Sequence, residues 1–318
     1  MKKSIIVSPE DCAGTDWVKR AADAGFDTLA LHSGGRRRDL PTALASFRTP
    51  GFRARCARAG LFLEYEEHAA ESILPSALFH THPEYFACGP DGVRQSGERA
   101  GWCPAAPGMK ERIADEAEKL ARALRPASHN YYFWGADSEE CICRCPRCAQ
   151  YSRADLNVLN ANLIAEGVLR ADRAGHVSLL AYTQGTFDLP EKVMPCDALF
   201  LEFAPFHRRH DVPLNDPADE VNSRFRNDLL KLLTFFPAEK VHVLEYWLDV
   251  SLFSNWRRPL RKIGCPPEVM RRDLEFYCSL GIRNFATFAV MMDETYFAEF
   301  GDGELTACGQ ALNEFLGK

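Results

Sequence analysis

The chain has 318 residues, 46% of them apolar and 26% charged, with a formal net charge of -6. That composition supplies a sizeable globular core and excludes a disordered or fibrous chain. Basic runs no longer than Arg36-Arg37-Arg38 and Arg257-Arg258 argue against a nucleic-acid partner, and no stretch approaches the roughly 18 apolar residues of a membrane helix, so neither nucleic acid nor membrane is expected to bind.

In chain order, a strand at residues 4–8 is followed by a helix over 16–24 that stops at Gly25, a left-handed C-cap. A second strand at 28–32, a helix over 52–59 ending at Gly60, and a third strand at 61–66 come next. Residues 68–108 form a long connection rich in His, Gly, Pro and Cys, and connections of that length are uncommon unless they serve a function. A helix over 109–124 carries Ile113, Ala117, Leu120 and Leu124 on one face. The aromatic fourth strand at 130–134 precedes a helix over 155–171. Strands five and six lie at 177–182 and 198–203, then a helix at 222–235, strand seven at 240–246, a helix at 267–280, strand eight at 284–290 and a closing helix at 304–315.

Alternating strands and helices imply parallel pairing, because parallel strands need crossovers. Eight such units close a single-domain α/β fold, the (β/α)8 or TIM barrel, which takes about 250 residues plus insertions. A doubly wound dinucleotide-binding sheet would carry a Gly-rich phosphate loop after strand one, and Ser8-Pro-Glu-Asp-Cys-Ala-Gly14 does not match it. The first eleven residues hold only three consecutive strongly apolar ones, too few for a signal peptide. Twelve cysteines without a small-scaffold pattern, several in apolar elements (Cys56, Cys278, Cys308), read as reduced thiols, and the expected location is the cytoplasm.

The active site of such a barrel lies at the C-terminal ends of its strands. Those ends present His32 on strand two, Glu66 and His68 on three, Asp137 and Glu139 on four, and Tyr182 on five. Strand six brings Glu202, His207 and His210, and strand seven Glu245, Tyr246, Trp247 and Asp249. Acids, imidazoles and aromatics with no obvious Ser or Cys nucleophile suit glycoside cleavage. One carboxylic acid protonates the leaving oxygen, and a second carboxylate attacks the sugar or activates water. Aromatic faces stack on sugar rings while polar side chains bond the hydroxyls. Each residue also has a structural alternative. Faces alternate along a strand, so Glu202 and Glu245 could point outward and pair with a helix Arg. Asp137 or Glu139 could cap the next helix, and His207 and His210 could be solvated loop residues.

Cys141, Cys143, Cys145 and Cys148 form C-x-C-x-C-x-x-C after strand four. Four thiolates this close can surround one tetrahedral ion, and the Cys145/Cys148 spacing is that of a zinc knuckle. Zinc sites commonly draw on two separated pairs, so Cys88 or Cys103 of the long connection could contribute; the alternative is a group of reduced thiols. Four thiolates close the coordination sphere, so the ion expected here is a structural zinc, with no cofactor for catalysis. His80-Thr-His82 follows strand three, whereas metal-dependent hydrolase barrels place an H-x-H pair at the end of strand one, and it is expected to be structural or part of a substrate loop.

Taken together, His82-Pro-Glu-Tyr-Phe86, Asp137 followed by Cys143-Arg-Cys-Pro-Arg-Cys148, Leu180-Ala-Tyr182 and Leu244-Glu-Tyr-Trp247 resemble the motifs of a bacterial domain-of-unknown-function family, family 4838, over roughly residues 60–290. Its members are similar to the catalytic barrels of α-glucuronidases and β-N-acetylhexosaminidases. The resemblance implies a carbohydrate-active barrel with Asp137 at the general-acid end and Glu245 as a second carboxylate. On this resemblance the chain is expected to lack the relatives' accessory N-terminal domain, and it carries Ser138-Glu-Glu140 where a glycine-rich turn is more usual. Hexosaminidases place an Asp-Glu pair after strand four to handle the substrate acetamide, whereas here the order is Asp137-Ser-Glu139.

The expectation is a glycoside hydrolase acting on an oligosaccharide substrate, with acidic or N-acetylated sugars in view. Asp137 is the acid and Glu245 the nucleophile or base, with Glu202 as its alternative. His32, Glu66, His68, Glu139 and Tyr182, with His207, His210, Tyr246, Trp247 and Asp249, would bind substrate. The competing functions are a barrel that binds carbohydrate without cleaving it and a zinc-dependent hydrolase of another class; association into a homo-oligomer is left open.

Overall fold

The computed structural model describes residues 1–33, 39–46, 51–97, 100–138 and 141–317. The strands are β1 (Lys2–Val7), β2 (Thr28–His32), β3 (Phe62–His68), β4 (Asn130–Trp134), β5 (His176–Ala181), β6 (Leu199–Phe203), β7 (Val241–Glu245) and β8 (Asn284–Phe288). The helices are α1 (Trp17–Ala24), α2 (Leu40–Ser46), α3 (Phe52–Arg58), α4 (Ala70–Ile73), α5 (Met109–Ala123) and α6 (Arg153–Ala171), then α7 (Glu220–Leu232), α8 (Val250–Phe253), α9 (Pro267–Ser279), α10 (Glu294–Phe300) and α11 (Gly303–Leu316). The strands close in chain order, β1 through β8, into one parallel barrel, as their alternation with helices implies. Two compact units are distinguished within the chain. One carries β1, β2, β7 and β8 with α1, α3 and α7 to α11; the other carries β4, β5, α5, α6 and the long connection after β3. Among the described residues no helix is long and apolar enough to cross a membrane.

Local chemistry sets the element ends. The Asp16 carboxylate accepts from the Lys19 amide at 3.1 Å and opens α1, and Gly25 closes it at φ 85°. A Cβ on Gly25 would come within 2.1 Å of Asn313 Nδ2, so glycine serves both the left-handed turn and the approach of α11. Ser152 and Asp155 form a capping box at the start of α6. Asp155 also accepts from the amides of Glu191, Lys192 and Val193. Burial pushes its carboxyl up, but these bonds outweigh burial and hold it at about 2. The short helices α2, α4, α8 and α10 are additions to the sequence expectation. So is the extra length of β3, which runs to His68 and makes Glu67 and His68 strand residues.

Register decides which side chains face the barrel interior. β1 lies between β2 and β8, with Ser4 and Ile6 level with Thr28 and Ala30 on one side and with Ala286 and Phe288 on the other. These residues point inward, whereas Lys3 reaches out to Asn313 of α11 at 2.6 Å. Lys2 shares the inward face and its Nζ lies 2.5 Å from Glu64 Oε2, both side chains almost fully buried. Glu66 and His68 follow Glu64 on the inward face of β3, level with Tyr132 and Trp134 of β4. The Tyr131 hydroxyl, on the opposite face, donates outward to Asp172 at 2.9 Å. Phe200 meets Tyr132 edge-on at 5.5 Å, which places Phe200 and, two residues on, Glu202 on the inward face of β6.

Candidate functional site

In the first unit, the ends of β2, β7 and β8 carry a row of aromatic rings. His32 meets Phe288 edge-on at 5.2 Å, and Phe288 stacks on Tyr246 at 5.4 Å with 18° between the planes. Phe206 continues the row at 5.0 Å from Tyr246 and contacts His207 at 4.8 Å and Trp256 at 6.2 Å. Trp256 is 57% exposed. It and Asn255 have φ of 53° and 52°, a conformation rare outside glycine that is held here by the Trp256 amide donating to the Ser251 carbonyl at 2.7 Å. Sequence reasoning missed Trp256, which lies eleven residues beyond the end of β7 and just before the Arg257-Arg258 run.

His210 is buried beneath this row, edge-on to Tyr246 and Phe253 at 6.0 Å each, and its Nε2 is 3.1 Å from the Phe206 carbonyl. The expected substrate contact is therefore corrected to a packing role. Burial, reinforced by the Arg208 charge, pushes its pKa down to about 4. The folded protein then holds a neutral imidazole that the unfolded chain would protonate near pH 6.5. Its contribution is complete above that pH and is lost as pH falls towards 4. Between pH 7 and pH 5, His210→Phe should gain about 2 kcal/mol of stability relative to wild type, measured by urea unfolding at both pH values. The carboxyls of Asp11 and Asp249, pushed up to about 6 by burial, titrate in the opposite sense but are common to both proteins and cancel in the difference. Asp249, expected at the substrate, caps α8 instead, accepting from the Ser251 hydroxyl at 2.6 Å and from the Ser251 and Leu252 amides.

Glu245 faces the helix layer. Its neighbour two residues back, Val243, is level with Phe285, whose ring contacts Tyr277 of α9. The Glu245 Oε1 accepts from Tyr277 Oη at 2.6 Å and from Arg208 Nη1 at 3.0 Å. Arg208 Nη2 reaches Asp273 Oδ2 at 2.5 Å, and Asp273 also accepts from Trp247 Nε1 at 3.0 Å and the Leu214 amide at 2.7 Å. Arg208, Glu245 and Asp273 have fully buried side chains. Burial pushes the Glu245 carboxyl up against the pull of Arg208. The structure thus places Glu245 where the alternation of strand faces allowed it to be, outward and paired with an Arg. Trp247, fully buried and bonded to Asp273, has no free face for a sugar, which corrects its expected role.

In the second unit, His68 packs on Trp134 at 5.2 Å and Tyr182 at 6.4 Å, and its Nδ1 is 2.9 Å from the Gly135 carbonyl. Trp134 donates its indole N–H to Ser178 at 2.9 Å. A recess here is lined by His68, Trp134, Gly135, Cys141, Tyr182 and Thr183. Asp137, two residues beyond Gly135, is exposed. Glu139 and the Arg36-Arg37-Arg38 run lie outside the described residues. Glu66 is fully buried on the inward face of β3.

The cysteine group differs in one member from the sequence expectation. The thiol sulfurs of Cys103, Cys143, Cys145 and Cys148 lie within 4.8 Å of one another and all four residues are buried. Cys141 is outside the group, and Cys103 from the long connection takes its place. The reason is the local chain path. His82-Pro-Glu-Tyr-Phe86 forms a turn whose end pairs antiparallel with the 102 position: Phe86 bridges Trp102, and the Cys103 amide donates to the Tyr85 carbonyl at 2.7 Å. Gly101 lies so near Cys141 that a Cβ there would sit 1.8 Å from the Cys141 carbonyl oxygen. The motif thus carries Cys103 to the sulfurs while Cys141 is spent on backbone contact. His82 stacks on Tyr85 at 4.8 Å in the same turn.

The barrel is similar to that of Gan42B, a GH42 β-galactosidase (TM-score 0.58, 10% identity, covering 99% of this chain and 57% of that one). It is also similar to a glycoside hydrolase family 20 β-N-acetylglucosaminidase (0.53, 9%, 98% and 68%). A third likeness is to PbGH5A, a glycoside hydrolase family 5 enzyme from Prevotella bryantii B14 in complex with a xyloglucan tetradecasaccharide (0.52, 14%, 94% and 86%). At such identities these likenesses are of fold. Among curated proteins nothing matches the chain. The model of the Domain of unknown function (DUF4838) family matches residues 47–299, and the chain belongs to that family.

Proposed function

We propose that this barrel is a glycoside hydrolase acting on oligosaccharides. The observation that carries the proposal is the exposed Trp256 beside Phe206 and the exposed His207, backed by the buried rings of Tyr246, Phe288 and His32 at strand ends, where barrel enzymes place their substrates. Flat apolar faces suit pyranose rings, and an exposed Trp held in a left-handed backbone conformation is costly unless it is used. Asp137, exposed after β4, is the acid that protonates the leaving oxygen. Glu202, on the inward face of β6, is the second carboxylate, preferred to Glu245 because that group faces the helix layer. It attacks the anomeric carbon or takes a proton from water, and the glycosidic bond breaks as Asp137 gives its proton to the departing oxygen. His68 and Tyr182 bond or stack on the sugar. The three barrels of like fold are named as enzymes of glycosides, which supports the reaction class by analogy and leaves the sugar open. None of the twelve cysteines is joined in a disulfide, and we place the protein in a reducing compartment such as the cytoplasm.

Saccharide binding tests the ring row. Thermal-shift titration of wild type with uronic-acid and N-acetylhexosamine oligosaccharides should find a ligand, and Trp256→Ala should weaken its binding about tenfold. Equal affinity in both proteins would remove Trp256 from the site. The engagement of Glu245 in the helix layer favours one second reading, a barrel that binds oligosaccharide without cleaving it; binding with no product on long incubation would select it.

A further inference from the structure

We propose that Cys103, Cys143, Cys145 and Cys148 hold one structural zinc ion, independently of what the barrel does at its mouth. The geometry fits that ion. Four sulfurs at about 2.3 Å from a tetrahedral zinc lie about 3.8 Å apart, the edge of the tetrahedron. The Cys103 sulfur is 3.6 Å from that of Cys145 and 3.8 Å from that of Cys148. A disulfide needs about 2.05 Å, so these sulfurs are arranged around a centre and not joined in pairs. With all four within 4.8 Å of one another, the space between them suits a single ion and leaves no room for an inorganic iron–sulfur core.

The surroundings match a thiolate-bound cation as well. Four thiolates around a divalent ion leave a net charge of about -2 that must be dispersed. The Cys88 amide donates to the Cys143 sulfur at 3.3 Å. Arg94, which pairs through its backbone with Cys88 and whose guanidinium bonds the Phe86 carbonyl, lies close enough to Cys103 and Cys143 to feel their charge. Cys145 and Cys148 belong to one turn, closed by the Cys148 amide on the Cys145 carbonyl at 2.9 Å. The ion would therefore join two segments far apart in sequence, the end of the long connection and the loop that follows Asp137. Among the described residues, 86–108 and 141–152 hold no helix or multi-residue strand. The ion has no open coordination position and so serves as a fastener beside the recess lined by Trp102, Trp134 and Cys141.

Elemental analysis of the full chain, purified under reducing conditions, tests this. Wild type and Cys141→Ser should each carry about one zinc per chain, and Cys103→Ser should carry none. Cobalt titrated into metal-stripped wild type should give the absorption of a tetrahedral thiolate site, displaced by zinc. A strong chelator should lower the Tm of wild type and of Cys141→Ser. Wild type that binds neither zinc nor cobalt would overturn the proposal, as would stoichiometric iron in place of zinc or loss of metal from Cys141→Ser. Should Cys103→Ser fail to fold, the wild-type and Cys141→Ser measurements still decide between these outcomes.

Discussion

Arg208→Met should lower the unfolding free energy by about 3–5 kcal/mol, the cost of removing one partner from a buried charge network. Arg208 is the only cation bonded to Glu245 and Asp273 among the described residues, and both carboxylates are buried. Met matches the apolar stem but leaves Glu245 with Tyr277, and Asp273 with Trp247 and the Leu214 amide. Without that charge, burial raises the Glu245 carboxyl further above its unfolded value, so the folded variant binds more protons there than the unfolded chain through the acid range. Relative to wild type its stability rises as pH falls, and the deficit should be smaller at pH 5 than at pH 8. Urea unfolding at the two pH values measures this. A loss below about 1 kcal/mol would mean that Arg208 is a surface-like pair and that Glu245 is free for other work.

Asp137→Asn should reduce kcat by about 10²- to 10⁴-fold, the usual contribution of a general acid. Asn has the same shape but no proton to give, and at an exposed position the change should alter stability by less than about 0.5 kcal/mol. The loss should be smaller for an aryl glycoside whose phenol leaves readily without protonation than for an oligosaccharide. Glu202→Gln should remove turnover with both kinds of substrate, since the second carboxylate acts whatever the leaving group. Glu245→Gln separates the two acids in another way: it should cost stability through the Arg208 network while kcat stays within a few fold of wild type. A loss of kcat equal to that of Asp137→Asn would return the second-carboxylate role to Glu245.

The barrel was legible because each strand and helix carries its own local pattern, and alternation leaves few topologies. For the candidate site residues, the strand ends that carry them were legible and the directions of their side chains were not. In Val241-His-Val-Leu-Glu245 apolar residues occupy both faces, so no alternation reveals which way Glu245 points. Its partners Arg208, Asp273 and Tyr277 are distant in sequence. Asp249 and His210 follow the same rule: a carboxylate at a strand end can cap a helix, and an imidazole there can be packed neutral. Three of the four clustered cysteines could be read from spacing, because one short loop holds them. Cys103 could not be singled out, since its place depends on the Phe86/Trp102 bridge. Trp256 lies beyond the strand end in a loop whose path is set by backbone bonds to Ser251.

The most direct test of the proposed chemistry is product formation from a panel of aryl glycosides and oligosaccharides, including uronic acids and N-acetylhexosamines, by wild type and Asp137→Asn side by side. Hydrolysis of at least one substrate by wild type, with turnover of its oligosaccharide counterpart reduced at least about 10²-fold in Asp137→Asn, is the expected result. Equal turnover by the two proteins would contradict the role of Asp137, and no product from wild type on any substrate would contradict a glycoside hydrolase altogether.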